Sequence, residues 1–270
     1  MFRAGDLIVK SEKRKERIRS LLRRFFRIRD GVNFVACTAL ILVCSAVVSG
    51  FSGRSTQDIL TENALNVNSS PQEGEFTVII DPGHGGADGG AIGIGGVLEK
   101  ELNLDVALKL RDMLLFEGYR TVMTRVDDSM HCEDGSPLSK KVQDTKYRVE
   151  LTEKYENCIF VSIHMNKFVS EKYRGLQVYY SANCPEGKEI AERIQTLTRE
   201  LLQEDNDRKI KKADATIYVL DKATVPAVLV ECGFLSNAAE TELLRDEKYR
   251  QKLASVIFEA LDSYLLEKNR

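Results

Sequence analysis

The sequence predicts an α/β fold: a three-layer domain with a central, mostly parallel mixed sheet flanked by helices, preceded by one N-terminal transmembrane helix. Three observations carry this expectation. From residue 76 onward, short runs of β-branched and apolar residues alternate with longer segments whose apolar residues recur every three or four positions. These are the patterns of buried strands and amphipathic helices. The first run opens the stretch FTVIIDPGHGGADGGAIG, residues 76–93, in which one histidine sits among six glycines. Glycines let a chain turn sharply at a strand's C-terminal end, the edge where open α/β sheets place ligands. Upstream, residues 31–51 form a run of 21 residues without a charge, about 30 Å long as a helix and enough to cross a bilayer.

The 270 residues, 43% of them hydrophobic, suit one substantial domain with appendages. A net charge of -2 gives no sign of a nucleic-acid partner. That average hides an asymmetry, because residues 1–30 carry eight arginines and three lysines against four acids. Such a basic cytoplasmic segment orients the following apolar run with its N-terminus inside. The run is read first as an uncleaved signal anchor and second as a cleaved signal peptide, with Val48 and Gly50 as a weak cleavage site. A soluble buried helix is the third reading. In the first two, everything after residue 51 is exported. Residues 52–75, rich in Ser, Thr, Asn and Gln with Pro71, form a linker to a domain over residues 76–270. Cys37 and Cys44 fall in the apolar run, leaving Cys132, Cys158, Cys184 and Cys232 outside it with no CxxC spacing. Four cysteines allow two bridges in an exported domain, but free, buried thiols are the preferred expectation.

Residues 76–80 read as a buried strand that Pro82 helps to end. Glu99–Phe116 carries Leu102, Val106, Leu110, Met113 and Leu114 on one helical face, and Gly118 closes it. YRTVMTR makes the next strand, followed by a polar loop over residues 126–140 and a helix over residues 142–155 with Val149 and Leu151 inward. CIFVSIH is a strong buried strand, and GLQVYYS alternates like a strand with one exposed face. Pro185 opens a long helix reaching about residue 203, the short segment TIYVL resumes the pattern, and residues 228–230 form a core strand ending at Glu231. Apolar faces over residues 238–267 mark closing helices.

Only three histidines occur. His84 and His164 each follow an apolar strand, so both belong at the same sheet edge although 80 residues separate them. Catalytic zinc sites use three protein ligands, His₂Glu among them, and keep a position open for water. Glu99, at the start of the first helix, is the candidate third ligand, and Glu231 at a core strand's end is the candidate acid/base. Each has a plainer reading: a satisfied loop histidine, a favourable acid in a first helical turn, a salt-bridge partner. His131, in the polar loop, is read as a non-ligand placed to touch substrate.

The segments DPGHGG (residues 81–86), LEKELNL (98–104), SIHMN (162–166) and PAVLVECGFLSN (226–237) resemble, in content and order, the four signatures of the zinc-dependent N-acetylmuramoyl-L-alanine amidase family, type 3 catalytic domain. The resemblance implies that His84, Glu99 and His164 hold one catalytic Zn²⁺ and that Glu231 is the acid/base. Asn103, Arg125 and Arg148 match further family positions, read as site-shaping or substrate-contacting. Met165 and Lys167 replace alanines common in relatives; neither is expected to touch the ligands, and both are expected to alter the groove. The implied reaction is hydrolysis of the amide between N-acetylmuramic acid and the L-alanine of the peptidoglycan stem peptide.

The short form of the chain, with KKADATIYVLDKATVPAVLVECGFLSN, is similar to the amidases of this family that act in spore-cortex maturation. That similarity implies peptidoglycan as substrate, a muramic-acid deacetylase and an accessory lipoprotein as partners, and muramic-lactam formation as the outcome. It also implies a single-pass location in the cell membrane with the catalytic domain outside the cytoplasm. A vegetative role in peptidoglycan turnover or cell separation is the alternative. A peptidoglycan-binding pseudoenzyme and another zinc hydrolase, a peptidase or deacetylase, are the competing classes.

Overall fold

Strand β1 (Thr77–Pro82), buried along all six residues, lies in the interior of a six-stranded sheet. The computed structural model describes residues 76–155 and 157–268. The basic, membrane-spanning and linker segments expected before residue 76 lie outside the described residues. Among the described residues no helix is long and apolar enough to cross a membrane.

The remaining elements follow in chain order: a short 3₁₀ turn (Ile94–Gly96), α1 (Glu99–Phe116), β2 (Arg120–Met123), α2 (Lys140–Glu153), β3 (Cys158–Asn166), β4 (Gln177–Tyr180), α3 (Pro185–Leu201), β5 (Lys211–Lys212), α4 (Tyr218–Lys222), β6 (Ala227–Phe234), α5 (Ala238–Arg245) and α6 (Glu247–Lys268). The sheet runs β2-β1-β3-β6-β4-β5. β2, β1, β3 and β6 are mutually parallel, β4 is antiparallel to β6, and β5 is parallel to β4. The expected mixed, mostly parallel sheet between helices is what forms.

Side chains alternate between the two faces of a strand, and the sheet buries both. Val78, Ile80, Ile159, Val161, Val228 and Val230 pack on one face with Val106 and Leu110 of α1, Ile190 and Ile194 of α3, and Ile257 and Leu261 of α6. Ile79, Phe160 and Leu229 face the other way, onto Leu151 of α2 and Leu220 of α4. Continuing that second alternation by twos brings Asp81, Ser162, His164 and Glu231 onto one face at the strands' C-terminal ends. An apolar floor thus becomes polar where the candidate residues lie.

Several boundaries differ from those expected. β3 continues past His164 to Asn166, and β6 continues past Glu231 to Phe234, so both residues lie within strands. Pairing explains the extension: His164 sits opposite Glu231, Asn166 opposite Phe234, and on the other side Gln177 of β4 opposite Glu231. α2 begins two residues early because the Ser139 side chain caps it, accepting from the Val142 N–H at 3.4 Å. TIYVL contributes to the short α4, and the two-residue β5 was not foreseen. Its exposed lysines sit on the sheet's edge, where charge discourages pairing with another chain. Cys132, Cys158, Cys184 and Cys232 are all free thiols; Cys158 and Cys232 are buried, whereas Cys132 and Cys184 are partly exposed.

Phe160, fully buried at the centre of the sheet, gives a direct test of this packing. Phe160→Ala is expected to cost about 3–5 kcal/mol of unfolding free energy, measured by urea denaturation; a loss below about 1 kcal/mol would show that the second face is not the core described.

Candidate active site

The loop after β1 doubles back so tightly that His84 adopts a positive φ of 62°, a conformation disfavoured for a residue with a side chain. What holds it there is hydrogen bonding to three successive carbonyls. Arg125 donates from Nε to the Pro82 and His84 oxygens at 3.0 and 2.7 Å and from Nη2 to the Gly83 oxygen at 3.0 Å. Arg148 donates from Nη1 to the Pro82 oxygen at 3.1 Å and from Nη2 to the His84 oxygen at 2.9 Å. Both guanidiniums are buried. Arg148 is held in turn by Asp81, through Nη1, and by Asp144 of its own helix, at 2.9 and 2.7 Å. Asp81 also accepts from Ser162 Oγ at 2.6 Å and Thr124 Oγ1 at 2.7 Å. Burial alone would raise the Asp81 carboxyl; the Arg148 guanidinium and these two hydroxyls outweigh it and hold the group below its ordinary range. Arg125 and Arg148 therefore brace the loop.

With the loop fixed, three donor groups converge. His84, Glu99 and His164 each offer an atom lying within 4.8 Å of the others. Glu99 Oε1 lies 2.9 Å from His164 Nδ1 and Oε2 lies 3.3 Å from His84 Nε2. The two imidazole centroids are 4.9 Å apart, edge to face. The Glu99 carboxylate is anchored by the Ala91 N–H at 2.7 Å and the Met165 N–H at 3.1 Å. Asn103 Nδ2, one turn along α1, donates to the Gly83 oxygen at 3.1 Å and reaches Glu99 Oε1 at 3.4 Å. Burial would raise the Glu99 carboxyl, but the two histidines hold it far below the ordinary carboxylate range.

The glycines are required by this closeness. A Cβ on Gly83 would lie 2.1 Å from His164 Nε2, and one on Gly90 would lie 2.6 Å from Glu99 Oε2. The donor set is the His₂Glu type of catalytic zinc sites, and the cluster can hold a single metal ion. Beside it, Glu231 pairs in register with His164, and its Oε2 is buried without a hydrogen-bond partner. A buried carboxylate oxygen left unpaired is expensive, and this one belongs to the residue paired directly with His164.

The other candidates separate by position. His131 is exposed and stacks on Tyr147 at 3.8 Å between centroids, outside the cluster. Met165, expected not to touch the ligands, does touch a candidate ligand through its backbone N–H on Glu99, and the residue is 2% exposed and part of the core. Met165 continues the alternation of Ile159, Val161 and Ile163 onto the face packed by α1, α3 and α6. Lys167 Nζ reaches the Ile92 oxygen at 2.9 Å. Asp81, Asp88, Lys100 and Asp144 were not singled out in the sequence, although Asp81 and Asp88 flank His84 in the same glycine-rich stretch. Lys100 bonds the Gly86 oxygen at 2.8 Å and Asp128 at 2.7 Å.

Fold and cluster define the class: an α/β enzyme domain whose site can hold one metal ion. Residues 78–263 match the N-acetylmuramoyl-L-alanine amidase family, and the chain belongs to it as a catalytic amidase domain. It is 39% identical over 202 residues to the germination-specific N-acetylmuramoyl-L-alanine amidase of Bacillus subtilis, covering 74% of this chain and 84% of that one. The CwlD amidase of Clostridioides difficile, solved in complex with the GerS lipoprotein, superposes with a TM-score of 0.67 at 37% identity, covering 70% of this chain and 98% of that one. The amidase AmiC2 of Nostoc punctiforme gives 0.62 at 32% identity, covering 72% and 99%. The resemblance read from the four sequence segments holds.

The Asp81–Arg148 pair predicts an acid dependence. Asp81 titrates below its ordinary 3.8 in the folded state, so the unfolded chain takes up its proton first as pH falls. The stabilisation is complete above the unfolded value and is lost as pH drops through the folded one. Asp81→Asn is expected to cost about 3–5 kcal/mol at pH 7, with the gap to the wild type narrowing below pH ~4 in urea titrations. An equal gap at pH 7 and pH 3 would refute the assignment.

Proposed function

We propose that this protein hydrolyses the amide between the lactyl group of N-acetylmuramic acid and the L-alanine of the peptidoglycan stem peptide, with His84, Glu99 and His164 holding one zinc ion and Glu231 as the acid/base. The observation that supports this most directly is the unpaired, buried Glu231 Oε2 next to the His₂Glu cluster. A bound zinc ion would polarise the scissile carbonyl and acidify a water molecule. Glu231 takes the proton of the attacking water on its unpaired oxygen and delivers it to the departing alanine nitrogen. Asn103 and the Ala91 and Met165 N–H groups keep the Glu99 carboxylate aimed, and Arg125 and Arg148 keep His84 in place.

The electrostatics suit the role. Burial pushes the Glu231 carboxyl up to about 7, with the Glu99 charge adding to the rise and the two histidines opposing it. A group poised there can both accept and give a proton near neutrality.

The biological setting is spore-cortex maturation. The identity with a germination-specific amidase supports it, and so does the likeness to an amidase solved with a lipoprotein. In this setting the enzyme strips stem peptides, a muramic-acid deacetylase acts on the exposed sugar to form muramic lactam, and an accessory lipoprotein binds the amidase. Residues 31–51 anchor the chain in the membrane, with the catalytic domain outside the cytoplasm.

Digestion of defined peptidoglycan, with and without a chelator, followed by mass analysis tests the chemistry. The expected products are a free muramoyl lactyl carboxylate and a peptide beginning with L-alanine, both abolished by the chelator. Released acetate or cleavage inside the stem peptide would overturn the assignment. Glu231→Gln is expected to lower kcat by about 10²–10⁴-fold while leaving zinc content unchanged; full turnover would remove Glu231 from this role. The raised Glu231 carboxyl also carries a sign. The folded state binds its proton more tightly than the unfolded chain, so this residue costs stability as pH rises from 4.5 towards 7. Stripped of metal, Glu231→Gln is expected to be more stable than the wild type at pH 8, by up to about 3 kcal/mol, and no different at pH 4. Equal stability at pH 8 would refute the buried, uncompensated carboxylate.

A further inference from the structure

The turn that carries His84 also delivers a carboxylate to the far side of its ring. Gly85 and Asp88 exchange backbone hydrogen bonds in both directions at 2.9 Å, which closes a tight turn over residues 85–88. That closure swings the Asp88 side chain back four residues, placing Oδ2 3.0 Å from His84 Nδ1. The opposite ring nitrogen, Nε2, is the one facing Glu99 Oε2 at 3.3 Å. Asp88 is itself restrained: its Oδ1 accepts from the Gly90 N–H at 3.2 Å, and its Oδ2 pairs with Lys141 Nζ of α2 at 3.0 Å. Its side chain is only 21% exposed.

We propose that Asp88 is a positioning residue for His84, accepting the Nδ1–H so that the neutral imidazole presents the Nε2 lone pair to the cation. The inference rests on the reading of His84, Glu99 and His164 as a metal centre. The physical argument is tautomeric. A neutral imidazole has one protonated and one free nitrogen, and whichever nitrogen donates a hydrogen bond leaves the other to bind a metal. A carboxylate on the donating nitrogen fixes ring orientation and increases the basicity of the ligating one. His164 has the other arrangement, since its Nδ1 faces Glu99. The two histidines therefore offer different ring nitrogens, and only the His84 choice is set by a separate carboxylate among the described residues. His84 needs this support more, because it stands on a backbone with positive φ.

The test measures metal binding and not turnover alone. Zinc affinity is read by chelator competition on the purified wild type, Asp88→Asn and Asp88→Ala, with thermal melting of each metal-stripped form as the folding control. Asp88→Ala is expected to weaken zinc binding by about 10- to 100-fold. Asp88→Asn, which keeps a neutral acceptor, should fall between the two. Nitrogen-detected NMR of the zinc-loaded wild type should show His84 protonated on Nδ1; three histidines in the chain keep that spectrum assignable. Wild-type zinc affinity in folded Asp88→Ala, or a His84 protonated on Nε2, would overturn the proposal and leave the metal centre standing. A wild type that binds no zinc would overturn both. A loss of melting temperature in the metal-stripped variants with no change in zinc affinity would mark Asp88 as a turn residue only, and would likewise overturn it.

Discussion

Three neighbouring carbonyls, those of Pro82, Gly83 and His84, all turn towards the buried guanidiniums of Arg125 and Arg148. The site depends on this one interaction. A carbonyl in a protein interior needs a donor, and here the two guanidiniums supply it, with Asn103 adding a second donor at Gly83. Two arginines offer a rigid array of donors that a lysine could not match. Their charge would be too costly to bury there without Asp81 and Asp144, and Asp81 is in turn held by Ser162 of the adjacent strand. The first histidine of the cluster is thus set by a chain of contacts running through β1, β3, β2's trailing residue and α2.

The cluster itself is held by the opposite principle, which is neutral backbone donation to a charge. The Glu99 carboxylate collects N–H groups from Ala91 and Met165, residues 74 positions apart in the chain. It sits in the first turn of α1, where the helix dipole favours an anion. That dipole contact is the plainer alternative to ligation when only the sequence is considered. In the folded chain the two are compatible, since the same carboxylate has its helical position and its contacts with both histidines.

Periodicity made much of the fold legible. The span of α1 agrees at both ends with its apolar spacing, and β1, β3 and β6 stand where β-branched runs predicted them. The strand ends were the weak point, because polar residues such as His164 and Glu231 look like exits from a strand. They continue to pair because neighbours on both sides complete the ladder. The three residues of the cluster, His84, Glu99 and His164, were found through the segments that contain them. The support around them was not, because Asp81, Asp88, Asp144 and Lys100 act through contacts with residues up to 81 positions distant, and one sequence carries no sign of that pairing. Arg125 and Arg148 were visible, but the carbonyls they bond are a matter of direction, which a linear chain does not record.

The register of β1 against β3 has a temporal meaning as well. His84 and His164 become neighbours only when two strands separated by 75 residues have paired side by side, and contacts of such separation form late because loop closure must come first. Glu231 joins only when β6 has docked on β3. A fragment that lacks any one of these three strands cannot hold the complete set. The complete cluster is thereby a property of the finished sheet, so a chain whose strands have not yet docked has no site to offer.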